Sequence, residues 1–589
     1  MGSLGALLLI CSGFGAAFGL ILIFRRNASV LSEKEPERTQ EYLVKKVGEV
    51  FHEILTTNVA ALYLDEEETR KKERLKEELR RALRTCSYGD IRAKEYVKEH
   101  IRDILLENCG IREDTIDDYF HFSGMSMSGQ DRFDILLYLY KKQWQYDALA
   151  QLLKHLIPGE FDGEESLGVT QADLDKLYED MDPALSFGDK VSVLVQRIYQ
   201  IFKGNGAIDE IRDMNIDGVS AGVSGISDIC YDVRILTDPE EAKDLPKSYE
   251  SIWVFFRGKT IHLSFLGFGS GNELERVCKN IYRYDNPGQL SAAKGYIANE
   301  MQDGSRVIVV RPPFCESWAF FVRKFNSADS LRIDQLITGA GSDAMIGIMK
   351  GLITGCQVIG ITGEQGCGKT TLLKALIGFV NPAYTLRIQE LIFELNLRKL
   401  YPDRNILTFR ETASVSGQEG LDIQKKTDGT VTILGEVATA PVASWLVQVS
   451  QTASRFTMFT HHAKTTKALI ASLRNSLLLA GGFSNEQVAE EQAADAVNFD
   501  IHMQKDMHGH RYIERITEIV GRRGADGRCF SAVDIAIRQD GRYRIVNSPS
   551  EKALRELSSY MTEQEKREFA RIFRESGVEL CEAGQSGFL

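Results

Sequence analysis

The chain has 589 residues, enough for several domains. It carries 71 Lys and Arg against 83 Asp and Glu, a net charge of −12, which argues against nonspecific nucleic-acid binding as its main task. Its ten cysteines are scattered, with no C-x-x-C and no Cys/His metal spacing. They read as reduced thiols of a cytosolic compartment, not as a disulfide framework or a zinc site.

Residues 4–24 (LGALLLICSGFGAAFGLILIF) carry no charge. At 1.5 Å per residue the run spans about 31 Å, close to a hydrocarbon core of about 30 Å. Arg25 and Arg26 follow at once, and no Lys or Arg precedes it. The reading is one transmembrane helix (residues 1–26) with the N-terminus outside and the bulk of the chain in the cytoplasm. A cleavable signal peptide is the rival, but it wants its positive charge before the apolar run.

Residues 27–203 read as a helical region. Within it 65–81 (DEEETRKKERLKEELRR) places Glu67–Lys71 and Glu68–Lys72 at i,i+4 on a solvated face. Residues 136–157 read as one amphipathic helix stopped by Pro158-Gly159, and 159–169 as a polar loop. From 204 to 325 short strands and turns predict a small α+β domain: a hairpin over 251–265, a helix over 272–284, and strands over 306–310 and 318–322. Residues 326–343 are read as a linker.

Residues 344–520 alternate strands and helices, which predicts an α/β domain with a mostly parallel sheet. Candidate strands are 385–390, 405–411, 430–436 and 456–462; candidate helices are 441–453, 466–480 and 486–499, the last opened by a Ser484-x-x-Gln487 capping box. Residues 521–589 add a hairpin with an Asp540-Gly541 turn and one closing helix over 551–576.

The chemistry concentrates on GEQGCGKTT, residues Gly363, Glu364, Gln365, Gly366, Cys367, Gly368, Lys369, Thr370 and Thr371. It fits G-x-x-x-x-G-K-[ST] between an apolar strand (356–362) and a helix-forming run (371–379). Glycines let backbone N–H groups approach phosphate, and the following helix adds the positive end of its dipole. Lys369 would pair with the β- and γ-phosphates of ATP, and the Thr370 hydroxyl would hold Mg2+. Glu364 must point to solvent, and Cys367 is a small filler. Further candidates follow strands: Glu436 for Mg2+, Glu390 and Glu394 for a proton from the attacking water, and His461 and His462.

In this order the motifs resemble the secretion and pilus ATPases of the type II/IV superfamily, closest to the CpaF/TadA motors of tight-adherence (Flp) pili. The resemblance covers residues 209–547 and includes GSRVIVVRPP, WAFFVRKF, ILGEV, FTHHAK and RYIERITEIV. It implies that 363–371 is the Walker A loop, that Glu390 and Glu394 are the Asp-box pair, that Glu436 is the Walker B glutamate and that His462 is the His-box histidine. His461 fills a position that is apolar in relatives. Arg306 and Arg323 match arginines that can reach nucleotide across domain or subunit contacts. The implied fold is a PAS-like α+β domain hinged to a RecA-like P-loop domain, assembled as a homohexamer that drives an inner-membrane pilus or secretion platform. This sequence departs from the pattern at Leu391, at Ala438 and at Arg455-Phe456.

Two other readings stand beside the motor. One is the nucleotide-binding subunit of an ABC-type transporter, for which 415–418 (VSGQ) faintly resembles a signature loop without its second glycine. The other is a membrane scaffold that binds ATP with little turnover.

Overall fold

The computed structural model describes residues 38–59, 65–124, 126–157, 167–227, 245–256, 258–285, 287–324, 332–391, 393–412, 415–452, 454–506, 509–521 and 529–580. The apolar run at 4–24 lies outside them. Among the described residues no helix is long and apolar enough to cross a membrane. The chain divides into two compact units, one running to 327 and the other from 328. The boundary expected near 204 therefore falls inside the first unit.

In that unit α1 (Gln40–Thr56) starts where the Thr39 hydroxyl accepts from the Tyr42 amide, and buries Leu43, Val47, Phe51 and Ile54 along one stripe. Helix α2 (Glu66–Thr85) is capped by Asp65 and carries three acids in its first turn, favourable against the helix dipole. Its i,i+4 pairs are Glu66–Arg70 and Arg74–Glu78, in place of the expected Glu67–Lys71 and Glu68–Lys72. Next comes α3 (Ile91–Asp103). The single helix expected over 136–157 is two, α4 (Gly129–Trp144) and α5 (Ala148–Leu156). Gln145 turns the chain with φ 50°, and the Tyr140 hydroxyl then meets His155 Nδ1 at 3.0 Å. No Gly or Pro marks that break, so the sequence pattern runs straight through it.

The expected loop at 159–169 ends in a strand, β1 (Leu167–Val169), followed by α6 (Gln171–Met181), α7 (Phe187–Phe202) and the single turn α8 (Asp209–Asp213). The sheet strands are β2 (Gly218–Ala221), β3 (Ile252–Phe256) and β4 (Lys259–Leu263), then α9 (Gly271–Ile281), β5 (Tyr296–Glu300), β6 (Arg306–Val310) and β7 (Ala319–Arg323). The seven strands lie in the order β1-β4-β3-β2-β7-β6-β5, antiparallel except for β1 on β4.

A buried ion cluster ties the helices to this sheet. The Lys94 ammonium on α3 sits 2.9 Å from Glu210 and 2.8 Å from Asp213, and also pairs with Asp209. The three carboxylates converge as metal ligands would, but the ammonium already fills the point a cation would take. Arg212 pairs with Asp213 and, at 2.7 Å, with Asp303. Lys324, at the end of β7, donates to the carbonyls of Arg212 and Met214.

The second unit begins with α10 (Ile333–Leu336) and α11 (Ser342–Thr354). Then follow β8 (Ile359–Gly363), α12 (Lys369–Leu376), β9 (Leu386–Glu390), α13 (Leu397–Leu400), β10 (Ile406–Arg410), α14 (Gly417–Gln424), β11 (Val431–Leu434), α15 (Ala440–Thr452), β12 (Phe456–His461), α16 (Thr466–Leu479), α17 (Glu486–Ala496), β13 (Phe499–Lys505), β14 (Arg511–Val520), β15 (Ser531–Gln539), β16 (Arg542–Ile545), α18 (Glu551–Tyr560) and α19 (Glu563–Glu575). The sheet order is β10-β9-β11-β12-β8-β13-β14-β15-β16, parallel as far as β13 and antiparallel beyond. Apolar layers cover both faces, as the continuous apolar strands require.

Three sequence expectations change here. Asn485, not Ser484, caps α17, its side-chain Oδ1 accepting from the amides of Gln487 and Val488. Phe499 belongs to β13 rather than to the preceding helix. The closing helix is two, because Met561 adopts an extended backbone and Thr562 opens α19 with a capping box to Glu565. The Asp540-Gly541 turn forms as expected, both residues at positive φ between β15 and β16.

Candidate nucleotide site

Four parallel neighbours, β9, β11, β12 and β8, end on one edge of the sheet, which is where motifs far apart in sequence meet. Leu434 stands in register with Gln389 and Phe459, and His461 with Thr362. The carboxyl ends of these strands therefore present Glu390, Glu436, His462 and the glycine loop together.

The loop after β8 turns on glycines. Gly363, Gly366 and Gly368 have φ of 141°, 77° and 98°, values strained for any residue with a Cβ. A Cβ at Gly363 would also fall 2.3 Å from Met503 O. Lys369 begins α12 buried and donates to the carbonyls of Gly363 (2.9 Å) and Glu364 (2.7 Å) and to His462 Nδ1 (3.3 Å). Because an ammonium only donates, Nδ1 of His462 accepts. The ring proton therefore sits on Nε2, aimed at Glu436 Oε1 3.2 Å away. A continuous Lys369–His462–Glu436 chain results. Glu364 points to solvent, and Cys367 is fully buried with its thiol pushed up by burial, consistent with a filler.

Glu390 is the most perturbed acid of the site. It is 4% exposed, and burial raises its pKa to about 7 against the pull of two backbone amides. Those amides, Glu394 (3.0 Å) and Leu395 (2.8 Å), donate to Oε1, while Oε2 is buried with no hydrogen-bond partner among the described residues. A Cβ on Gly435 would lie 2.9 Å from Glu390 Cγ, so the glycine before Glu436 is what lets Glu390 pass. Glu394 contributes its amide to this arrangement and is itself half-buried.

The two histidines divide. His461 is buried, its Nδ1 donating to Val437 O (2.7 Å) and its Nε2 accepting from the Ser472 hydroxyl (2.9 Å). Burial lowers its pKa, so it stays neutral and holds the loop after β11 to α16. His461→Leu strands both partners; it should cost about 1–3 kcal/mol, read as a lower denaturant midpoint with the slope unchanged. An unchanged midpoint would show that the two bonds contribute nothing.

Other expected site residues lie elsewhere. Arg306 and Arg323 belong to the first unit, where they face each other directly across β6 and β7. Leu391 and Ala438 are exposed, and Arg455 stacks over Tyr384 and donates to its hydroxyl at 2.9 Å. The VSGQ stretch caps a helix: the Ser416 hydroxyl accepts from the Glu419 amide, and Glu419 returns a bond to the Ser416 amide.

Two features escape the sequence pattern. Arg511, the first residue of RYIERITEIV, brings its Cδ to 3.3 Å from where a Cβ on Gly368 would stand. A buried polar group of Thr362, Asp500, His502 and Thr466 lies directly under the glycine loop. Polar residues inside an apolar strand are its only sequence trace.

The residues present suit a nucleoside triphosphate with Mg2+. The loop is a cradle that a Cβ would fill, a buried amine stands at its helix, and a buried oxygen of Glu390, packed against Gly435, has no partner among the described residues.

No family model matches the chain, and no curated protein matches it. Solved structures similar to it include the VirB11 ATPase of the Brucella suis type IV secretion system, at 17% identity and TM-score 0.27, covering 46% of this chain and 86% of that one. The Legionella pneumophila ATPase DotB is similar at 13% identity and TM-score 0.34, covering 64% and 93%. The pilus retraction motor PilT with bound ADP is similar at 13% identity and TM-score 0.32, covering 58% and 90%. Likeness at this level carries no functional weight, and the function has to rest on the geometry of the site.

Proposed function

We propose that the second unit hydrolyses ATP to ADP and phosphate, and that the chain is a motor of the secretion and pilus type. The observation that carries this is the chain from buried Lys369 through His462 to Glu436, beside a buried Glu390 with one oxygen unpartnered. Such a set joins a phosphate-binding amine to groups that can orient water and accept a proton.

In this reading Lys369 exchanges its bonds to the Gly363 and Glu364 carbonyls for the β- and γ-phosphates of ATP, while loop amides and the start of α12 hold the other oxygens. Thr370 and Glu436 would hold Mg2+, which supplies charge neutralisation on the phosphates. Glu390 takes a proton from water as its oxygen bonds to the γ-phosphorus. The bond from that phosphorus to the bridging oxygen breaks, and the electron pair leaves on ADP. His462 reports the γ-phosphate to Glu436 because it already touches Lys369.

The finer assignment follows the sequence resemblance. The first unit's sheet is the PAS-like domain, and Arg306 and Arg323 take the role that the resemblance implies for their positions. Six copies form a ring of the Flp type against an inner-membrane platform, and residues 4–24 anchor each copy with its N-terminus outside.

Purified full-length protein with ATP and Mg2+ should release phosphate, and Lys369→Ala should slow release roughly 100-fold or more, as expected for loss of a charge-stabilising group. Equal release from both proteins overturns the motor. Binding of ATP by wild type with release no faster than in the variant would favour the scaffold.

A further inference from the structure

The core of the second unit hides four polar side chains the hydrolytic reading does not use. Asp500, on β13, is fully buried. Its Oδ1 accepts from the Thr362 hydroxyl and its Oδ2 from the Thr466 hydroxyl, each at 2.6 Å. Thr362 is the residue before Gly363, at the end of β8. Thr466 is the first residue of α16, four residues after His462. One carboxylate therefore spans from the root of the phosphate loop to the root of the segment that carries His462.

The hydrogen-bond inventory closes around it. Thr362 spends its single proton on Asp500, so His502 Nδ1, 2.7 Å from the same hydroxyl, must donate to it. His502 therefore carries a proton on Nδ1. Its pKa is pushed down to about 4, by burial first and by the charges of Arg515 and Lys369 next. Strand register supports the bridge, since Thr362 stands between His461 on β12 and His502 on β13. No apolar side chain could hold both threonines at once, and an amide offers only one acceptor oxygen for two hydroxyl donors.

We propose that Asp500 is a positioning residue for hydrolysis, fixing the His462 segment against the phosphate loop so that His462 stays on Lys369. This rests on the ATPase reading above. Asp500 touches neither Lys369 nor His462 in any hydrogen bond, so it acts through Thr362 and Thr466. Its removal should slow the chemical step while leaving the loop that binds diphosphate in place.

The test compares wild type, Asp500→Asn, Thr466→Val and the double variant in the full-length chain. It measures kcat and KM for ATP, affinity for a fluorescent ADP analogue, and the denaturation midpoint. Thr466→Val keeps the side-chain shape and leaves Asp500 bonded to Thr362, so it serves if Asp500→Asn fails to fold. The expected result is a kcat reduced about tenfold in each single variant, ADP affinity within twofold of wild type, and a double variant no slower than the slower single one. The inference is overturned if Thr466→Val turns over like wild type, if ADP affinity falls in step with kcat, or if the two losses multiply. If wild type releases no phosphate, the ATPase reading itself fails. If wild type turns over and the variants match it, only the role of Asp500 is lost.

Discussion

Glu390→Gln should slow phosphate release by roughly 100-fold or more, the range lost with a general base. The same change should remove the acid limb from the pH profile of kcat/KM, which in wild type should fall below an apparent pKa of about 7. Stability should move the opposite way. A carboxyl whose folded pKa lies above its unfolded value holds its proton more tightly in the fold. Its contribution is greatest below the unfolded pKa near 4.5 and declines as pH rises through about 7. At 1.36 kcal/mol per unit this is on the order of 3 kcal/mol lost by pH 8. Glutamine keeps the acceptor for Glu394 and Leu395 and never ionises, so the variant should be the more stable protein above pH 7. Denaturant melts of both proteins at pH 5 and pH 8 check this. A variant with an unchanged rate and the wild-type pH slope would remove Glu390 from the reaction and place its strain elsewhere.

Lys94→Met should have the largest effect on the first unit. Burial pulls the Lys94 ammonium toward its neutral form, but Asp209, Asp213 and Glu210 outweigh that and hold it charged. Removing it leaves three buried acids facing one another, which costs about 3–5 kcal/mol for a buried partner, a large part of a domain's stability. Burial pushes the Glu210 carboxyl up, yet Lys94, Lys98 and Lys141 hold it well below its usual range. Its folded pKa is thus below its unfolded one. The stability it contributes is present above about pH 4.5 and is lost only as pH falls through the depressed value. Lys94→Met should therefore lower the denaturant midpoint most near neutral pH and less in mild acid, where the uncompensated acids take up protons. A midpoint equal to that of wild type would mean that the acids find other partners.

Much of this is legible in the sequence. The glycine loop, its strand and its helix were readable because phosphate chemistry demands those residue types in one local order. The parallel strands are readable because short runs rich in Ile, Leu, Val, Phe and Thr, such as VTIL and FTMFT, alternate with helix-forming segments. The break at Gln145, the end of α18 at Met561 and the short strand at 167–169 were not. No Gly or Pro marks the two helix breaks, and a three-residue strand has too few residues to show a period. Adjacent His461 and His462 look equivalent as letters. Only the register of β12 turned one into the packing and left the other on Lys369.

By itself the sequence determined the glycine loop with its flanking strand and helix, the strands that lead to Glu390, Glu436 and His462, and the residue types at those ends; it left unread β13, which pairs directly with β8. The tertiary structure alone decided which polar atoms meet: Lys94 with three acids from 115 or more residues away, Glu390 against Gly435, and Asp500 between two threonines 104 positions apart. The physical reason is that hydrophobic period encodes the buried face of one element. A hydrogen bond or ion pair depends on the register and packing of two elements, which no single stretch of chain records.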